Sequence, residues 1–490
     1  MQGGAELKIT WKSTGVSLVS LAVSLSLIGC GGKNENTPSA SPIAAKNSPA
    51  ETEAAVYPEN GLPKDQKVTL KVGFFEGGMG REYFDYAIDT FKKKFPNVDF
   101  AVTYSPEMTK IITTKVSANN DNDMFDLFST ATDALSLVKA GKLEPQEDVW
   151  DRKAYDGNGK TLKELSLDGQ FASAPRFLGK SYAVPVVSSG GGLFFDKTLF
   201  EQHGWNQNPK TWKEFVELCE AIKAKGIIPI TYPGKFPGYI TNGFGDYKLF
   251  ELGNLKGNLN KVEDSFRNYT QSLYMSPESV ELWSRIYELG KKGFFPDGVA
   301  ALNHTQSQMQ VLQHQAAMVS TGVWVQNEMK DSTPQNFKWG FMSVPMGDSP
   351  DDTIWVRNTT SEGFFIWAAK PELTKKWAKE FSVWLWNLDI QEAIAEKGGQ
   401  LPIRKDYSDD QTRAGKLQDA PKSLLDYMKR NKVHIESEFR ATNVTDPAAA
   451  QAKKVMSDAT SEIASGKQDP LPKLKEADEL MKKAIEAQAK

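Results

Sequence analysis

A chain of 490 residues with a formal net charge of -3 has room for two or three domains and no field that would draw nucleic acid. Aromatic residues make up 11%, including 12 Trp, so surfaces that stack on a ligand are to be sought beyond the core. The two cysteines, Cys30 and Cys219, make neither a disulfide framework nor a zinc spacing.

Lys8 and Lys12 precede an apolar, Ser-rich run from Val16 to Ile28. The run is too short to span a bilayer as a helix but has the length of a signal-peptide core. It ends Leu27-Ile28-Gly29-Cys30, which resembles the lipobox of bacterial lipoproteins. That resemblance implies a cleaved segment 1–29 and an acylated Cys30 that holds the protein on the extracytoplasmic face of the cell membrane. Residues 30–65 are rich in Gly, Ser, Pro, Ala and Asn and show no helical or strand period, so they read as a flexible linker from lipid to fold.

The first regular stretch alternates Val68, Leu70, Val72 and Phe74, the period of a strand. After Glu76-Gly77-Gly78-Met79-Gly80-Arg81 comes a helical pattern, Phe84, Ile88, Phe91 and Phe95. A strand at 100–104, a helix carrying Met108, Ile111, Ile112 and Val116, and a strand at 125–128 complete a β-α-β-α-β run. This predicts an α/β protein whose parallel sheet is covered on both faces, with ligands beyond the carboxyl ends of its strands. The loops 76–81 and 129–133 sit there. Neither the glycines of the first loop nor Gly190–Gly192 fit a dinucleotide or P-loop pattern.

The stretch from Tyr182 to Phe215 organises the rest. It reads as a strand at 182–187, a joint at Ser188-Ser189-Gly190-Gly191-Gly192 and a second strand at 193–195. Thr211 and Glu214 have capping-box spacing, and Phe215, Leu218, Cys219 and Ile222 form one helix face. A strand at 227–231 then runs into a loop with three aromatics, Tyr232, Phe236 and Tyr239. A proline-started helix follows from Pro277. A Gln-rich helix at 305–315 leads to a strand at 316–320, and Trp324 stands just past Gly322 at its end, where an indole can lie on the C–H face of a sugar. Strands at 339–345 and 363–368 flank a polar segment holding Trp355, Arg357 and Glu362. A helix at 371–387 buries Leu373, Trp377, Phe381 and Trp384, Gly398–Pro402 reads as another crossing, and Ala/Lys/Glu-rich helices follow 446.

The strings Y-A-V-P at 182–185, L-F-F-D-K at 193–197, H-G-W at 203–205 and P-K-T-W-K-E-F at 209–215 resemble the crossover segment of the extracellular solute-binding proteins that feed sugars to ABC transporters. E-G-G-M-G-R-E-Y at 76–83, T-Y-P-G-K-F-P at 231–237, H-T-Q-S-Q at 304–308, G-V-W-V-Q-N-E-M at 322–329 and R-N-T-T-S-E-G-F at 357–364 resemble the branch that binds N-acetylglucosamine and N,N′-diacetylchitobiose. Gly363 departs from that branch, where proline is expected. The resemblance, over about 67–405, implies a two-lobed periplasmic-binding-protein-like fold with three hinge crossings and a ligand cleft between lobes. It implies an N-terminal lobe of 66–187 and 361–400 and a C-terminal lobe of 188–360 and 401–490. It also implies a monomer that hands a small oligosaccharide to permease subunits and uses no cofactor.

Residue by residue, the resemblance places sugar contacts at Glu76, Gly77, Gly78, Arg81, Thr130, Asp133, Ser188, Ser189, Tyr232, Lys235, Tyr239, Trp324, Asn327, Arg357 and Glu362. Trp355 is a further candidate stacking ring. An acetamido group adds a demand for one donor, one acceptor and a small apolar pocket. The rival reading is a glycoside hydrolase, which needs two carboxyls flanking one bond. Arg357 near Glu362 in the chain argues against a general acid there, because a cation keeps a carboxylate ionised. His203, His304, His314 and His434 have no metal or triad spacing, and no G-x-S-x-G is present. The expectation is a binder of chitobiose-type sugars, with a different oligosaccharide as the alternative and catalysis as the less favoured one.

Overall fold

The computed structural model describes residues 55–131, 133–167, 169–358 and 363–488. The signal segment, Cys30, most of the linker and Glu362 lie outside the described residues. The linker was expected to run to 65, but the ordered fold begins earlier. Val56 and Pro63 form an antiparallel bridge. Tyr57 lies edge-on to Phe95 at 4.8 Å and to Trp377 at 5.9 Å, and its hydroxyl donates to Asn97 Oδ1 at 2.8 Å. A buried ring with a satisfied hydroxyl anchors the segment to the core, an outcome composition does not announce.

Val68–Phe75 (β1) turns Leu70, Val72 and Phe74 inward. Val98–Ser105 (β2) and Leu127–Phe128 (β3) pair with it in parallel on either side. The connecting helices Glu82–Lys94 and Met108–Ser117 are the predicted crossovers. Phe84 and Phe91 line one face of the first helix, and Phe91 sits edge-on to Phe381 at 5.2 Å.

The joint at Ser188–Gly192 is built differently from expectation. Only Val187–Ser188 (β4) is strand before Ser189, and the three glycines themselves begin Gly190–Asp196 (β5). All three are buried. A β-carbon would lie 2.5 Å from Leu424 Cδ2 at Gly190 and 2.6 Å from Asn242 Oδ1 at Gly191, and would overlap the Phe341 ring at Gly192. These glycines admit close neighbours; they do not make a loose hinge.

Ile228–Thr231 (β6) runs parallel to Ala316–Gly322 (β7), which pairs antiparallel with β5. Trp339–Met342 (β8) and Ile354–Asn358 (β9) share the other edge of β5. On the helix Trp212–Lys223 the capping box is displaced by one residue. Thr211 Oγ1 accepts from Glu214 N at 3.2 Å, while the Glu214 carboxylate accepts from Lys210 N at 2.7 Å. Phe215, Leu218, Cys219 and Ile222 are buried as their spacing predicts.

Phe365–Ile366 (β10) returns to the first sheet antiparallel to β3, giving the order β10-β3-β1-β2. The helix Glu372–Trp384 then sets Trp377 and Phe381 into that core. Leu401–Pro402 (β11) pairs antiparallel with β4, and Pro185 bridges Gly363, so three passages of the chain between the sheets are tied side by side. Val433–Ser437 (β12) adds in parallel to β9, completing the order β12-β9-β5-β7-β6. The helices Asp419–Arg430, Pro447–Ala464 and Pro470–Gln488 bury their apolar faces in the second core. That core holds an ion pair. Lys248 Nζ donates to Glu251 Oε2 at 2.7 Å, to Ser343 Oγ at 3.0 Å and to the Trp355 carbonyl at 2.8 Å. The result is a mixed α/β protein of two lobes, each with its own sheet and apolar core. Among the described residues no helix is long and apolar enough to cross a membrane.

Candidate functional site: the cleft between the lobes

The carboxyl ends of β1 and β3 open on a cavity of about 300 Å³ in the first lobe. Phe75, 38% exposed at the end of β1, forms one wall with Phe177 and Phe365, and Pro175 and Pro185 close it. Its polar lining is hydroxyl. Thr130 Oγ1 lies 3.2 Å from Thr109 Oγ1, and Ser129 Oγ accepts from Phe75 N at 2.8 Å. No charged side chain lines it among the described residues. Open parallel sheets place ligands at such a position.

The second lobe brings an aromatic and acidic cluster to the 76–81 loop. The helix His304–Leu312 is capped by Asn303 and presents His304 and Gln308 one turn apart. The His304 ring stacks on Phe236 at 4.3 Å and 9°, and meets Tyr239 at 4.4 Å. Phe236 keeps 47% of its surface exposed. Gln308 Nε2 donates to Glu328 Oε2 at 2.7 Å. Glu328 retains contact with solvent, yet protein flanks it on both sides of the cleft. That crowding raises its carboxyl above the usual range, with the Gln308 bond opposing. Tyr239 is raised by burial first and then by Glu328, with Arg357 opposing, so the three groups share one field. Burial lowers the His304 imidazole, and its Nε2 is buried without a partner.

The predicted residues divide. Thr130 lines the cavity, and Gly77 and Gly78 form the turn above it, closed by Gly80 N donating to the Gly77 carbonyl at 2.9 Å. Glu76 follows the last residue of β1, and its N–H donates to the Ser105 carbonyl. Arg81 is exposed, paired with Asp85 at 3.3 Å and lying over the Tyr104 ring at 4.7 Å. Asp133 caps the helix Ala134–Lys139 by accepting from Ser136 N at 3.0 Å, and faces Asn443 of the second lobe at 3.5 Å. Ser188 lies in β4, and Ser189 Oγ is buried without a partner. Trp324 lies flat over Gly322; a β-carbon there would fall within contact of three ring carbons. Asn327 Nδ2 donates to the Gly78 carbonyl at 2.6 Å. Arg357 is held by Glu438 Oε2 at 2.8 Å and by Asn242 Oδ1 at 2.7 Å. Lys235 is exposed on its loop, with its N–H on the Leu302 carbonyl.

Two expected stacking rings are corrected. Tyr232 is fully buried, edge-on to Phe295 at 5.9 Å with its hydroxyl on Ser461 Oγ at 3.3 Å, so no ring face is left for a sugar. Trp355 is buried in the second core, 4.7 Å from the His434 ring. Phe236, Gln308, Glu328, Asn242 and Glu438 are the residues that sequence reasoning left out. The i, i+4 spacing of His304 and Gln308 was available as a signal; nothing in the chain links Glu438 to Arg357.

A larger groove, about 680 Å³, lies between the turn near Gly169 and β12. Within it Arg267 donates to Glu436 at 2.6 Å, with His434 at 3.3 Å on the same carboxylate, and Glu263, Lys405 and Lys429 add further charge to its walls. The smaller cavity is the better candidate, because it stands at the strand ends and beside loops that meet the other lobe.

Two α/β lobes joined by three adjacent passages, with a hydroxyl-lined cavity at the strand ends, define a cleft-type binding protein. The chain belongs to the bacterial extracellular solute-binding protein family, whose profile it matches over residues 86–423. It is 24% identical over 286 residues to a diacetylchitobiose-binding protein of Streptomyces coelicolor, covering 58% of each chain. It is 23% identical over 266 residues to a multiple sugar-binding protein of Streptococcus mutans, covering 53% of this chain and 58% of that one. The match thus spans less than two thirds of these relatives' length. A solved chitin oligosaccharide binding protein shares the fold with a TM-score of 0.63 at 19% identity, over 86% of this chain and 99% of that one.

Proposed function

We propose that the protein captures a neutral oligosaccharide of the N,N′-diacetylchitobiose or N-acetylglucosamine type by closing its lobes, and delivers it to the permease of an ABC importer. In this reading it acts as a monomer, held to the membrane by a lipid on Cys30, with the crossings near 187, 360 and 400 as hinges. The observation that carries the reading is the first-lobe cavity. It offers hydroxyls at Thr109 and Thr130 and apolar walls at Phe75, Phe177 and Pro185, with no charged side chain among the described residues that line it. A sugar hydroxyl or acetamido group finds partners there, and a methyl finds an apolar wall. A phosphate or carboxylate would be desolvated without compensation. Across the cleft, Tyr239, Trp324 and Phe236 supply ring surface and Glu328 supplies acceptors. The diacetylchitobiose-binding and chitin-oligosaccharide-binding relatives support the same choice.

Binding is favoured over hydrolysis because two described carboxylates of the cleft, Glu438 and Glu328, are engaged. Glu438 takes Arg357 and the Tyr247 N–H, and Glu328 takes Gln308. The test is titration calorimetry of the purified protein against a panel of chitobiose, N-acetylglucosamine, raffinose, maltose and glycerol 3-phosphate. Saturable heat with the acetylated sugars supports the reading. Binding only of raffinose or maltose would move it to a different oligosaccharide, and release of monosaccharide from chitobiose would overturn the non-catalytic assignment.

A further inference from the structure

We infer that Asn327 and Gly78 are the latch that holds the lobes shut, and that neither contacts the sugar. This rests on the reading that the lobes close on a ligand. Gly78 belongs to the turn after β1 in the first lobe, and Asn327 to the short helix Val325–Glu328 after β7 in the second. Their bond, Nδ2 to the Gly78 carbonyl at 2.6 Å, is the shortest side-chain contact described between that turn and the second lobe. It takes up one of the two N–H donors of the Asn327 amide.

Three features make the pair a device of closure. The turn is stiff. Gly80 has φ of 65° and closes the Gly77–Gly80 turn, so the Gly78 carbonyl is held at its tip. The tip also lacks a side chain. A β-carbon on Gly78 would stand 2.7 Å from Glu328 Oε1 and 2.9 Å from its Cγ, so a side chain there would have to push the Glu328 carboxylate off Gln308 before the lobes could meet. Asn327 packs close to Gly399 of the return passage that leads to β11, where a β-carbon would come within 3.1 Å of the Asn327 Cβ. The acceptor therefore swings with the first lobe, while the donor stays against the passage between lobes. A second tie, Asn443 with Ser136 at 3.2 Å, Lys139 at 3.3 Å and Asp133 at 3.5 Å, is longer and largely exposed; the ion pairs of Arg413 with Asp389 and Glu392 lie instead beside the return passage. The Asn443 tie would tolerate movement that the Asn327 bond would not.

The latch is read without a sugar. One dye is placed on Lys93→Cys of the first lobe and one on Lys213→Cys of the second, both exposed, in a protein carrying Cys30→Ser; Cys219 is buried away from the label. Single-molecule energy transfer on the ligand-free protein should show a closed population that falls in Asn327→Ala and in Gly78→Ala. The loss in Gly78→Ala should be largely restored by adding Glu328→Ala, which removes the obstruction. Identical distributions in all variants would overturn the latch. So would a Gly78→Ala defect that Glu328→Ala does not relieve. Thermal melts of the ligand-free variants separate a latch, which leaves the lobes' own stability unchanged, from a folding lesion. In a parallel chitobiose arm, Asn327→Ala should speed dissociation about three- to tenfold, the worth of one hydrogen bond, with association unchanged. A wild-type protein that closes but binds no chitobiose would refute the sugar assignment and leave the latch standing. Equal dissociation rates would refute the latch and leave the sugar assignment intact.

Discussion

Replacing Gly322 by alanine should disable Trp324 from a distance of two residues. Gly322 ends β7, and the Trp324 ring lies on it so closely that a β-carbon would overlap three ring carbons. The neighbour cannot give by a few tenths of an ångström; the indole must leave its position. If that position is the sugar platform, the loss equals the stacking contribution, about 1–3 kcal/mol. That corresponds to roughly 5- to 150-fold in Kd. Trp324→Ala should lose the same amount, and the double variant Gly322→Ala/Trp324→Ala should be no worse than Trp324→Ala alone, because both remove one ring. Titration calorimetry with chitobiose measures all three, and circular dichroism melts check that β7 survives. A Gly322→Ala protein of unchanged affinity, or losses that add in the double variant, would refute the stacking role.

Thr130→Val removes a hydroxyl from the cavity and leaves Thr109 without its 3.2 Å neighbour. Sugar affinity should fall by about 1 kcal/mol, with no change in melting temperature; equal affinity would take the threonine pair out of the site. Arg357→Met leaves the Glu438 carboxyl enclosed beside the Tyr247 N–H without its cation. Burial already raises that carboxyl, and losing Arg357 raises it further. An acid whose folded pKa exceeds its unfolded value costs stability as pH rises from about 4.3 upward. The variant should therefore be destabilised more at pH 7 than at pH 4.5, and melts showing the same loss at both would contradict this. Lys248→Met breaks the core ion pair and leaves the buried Glu251 carboxylate with only the Met346 and Trp355 N–H groups, at an expected cost of about 3–5 kcal/mol; urea unfolding tests it, and a loss below about 1 kcal/mol would mean that these two donors suffice for the charge.

Where a pattern is local, the sequence declares the fold. The i, i+4, i+7 spacing of Phe84, Ile88 and Phe91 and the alternation of β1 are carried by neighbouring residues, and both match the structure. Where a residue's role depends on what approaches it from elsewhere in the chain, the sequence is silent. Gly190–Gly192 look like a flexible joint until Leu424, Asn242 and Phe341 are seen against them. Tyr232 looks like a loop aromatic until Ser461, from the C-terminal helices, takes its hydroxyl. The candidate site suffers most from this, since it is assembled from loops of both lobes. Thr130 and the 76–81 turn were legible from their position after strands, whereas Glu438 reaches Arg357 only through the pairing of β12 with β9.

That pairing has a bearing on the order in which the molecule assembles. The second sheet begins at Gly190, yet its edge strand is residues 433–437, and the helices that seal its core end at Gln488. The first sheet likewise waits for Phe365. A chain emerging amino end first thus carries two unfinished halves for most of its synthesis. Until those segments arrive, β3 and β9 each keep an unpaired edge, so completion of either lobe depends on residues made late in the chain.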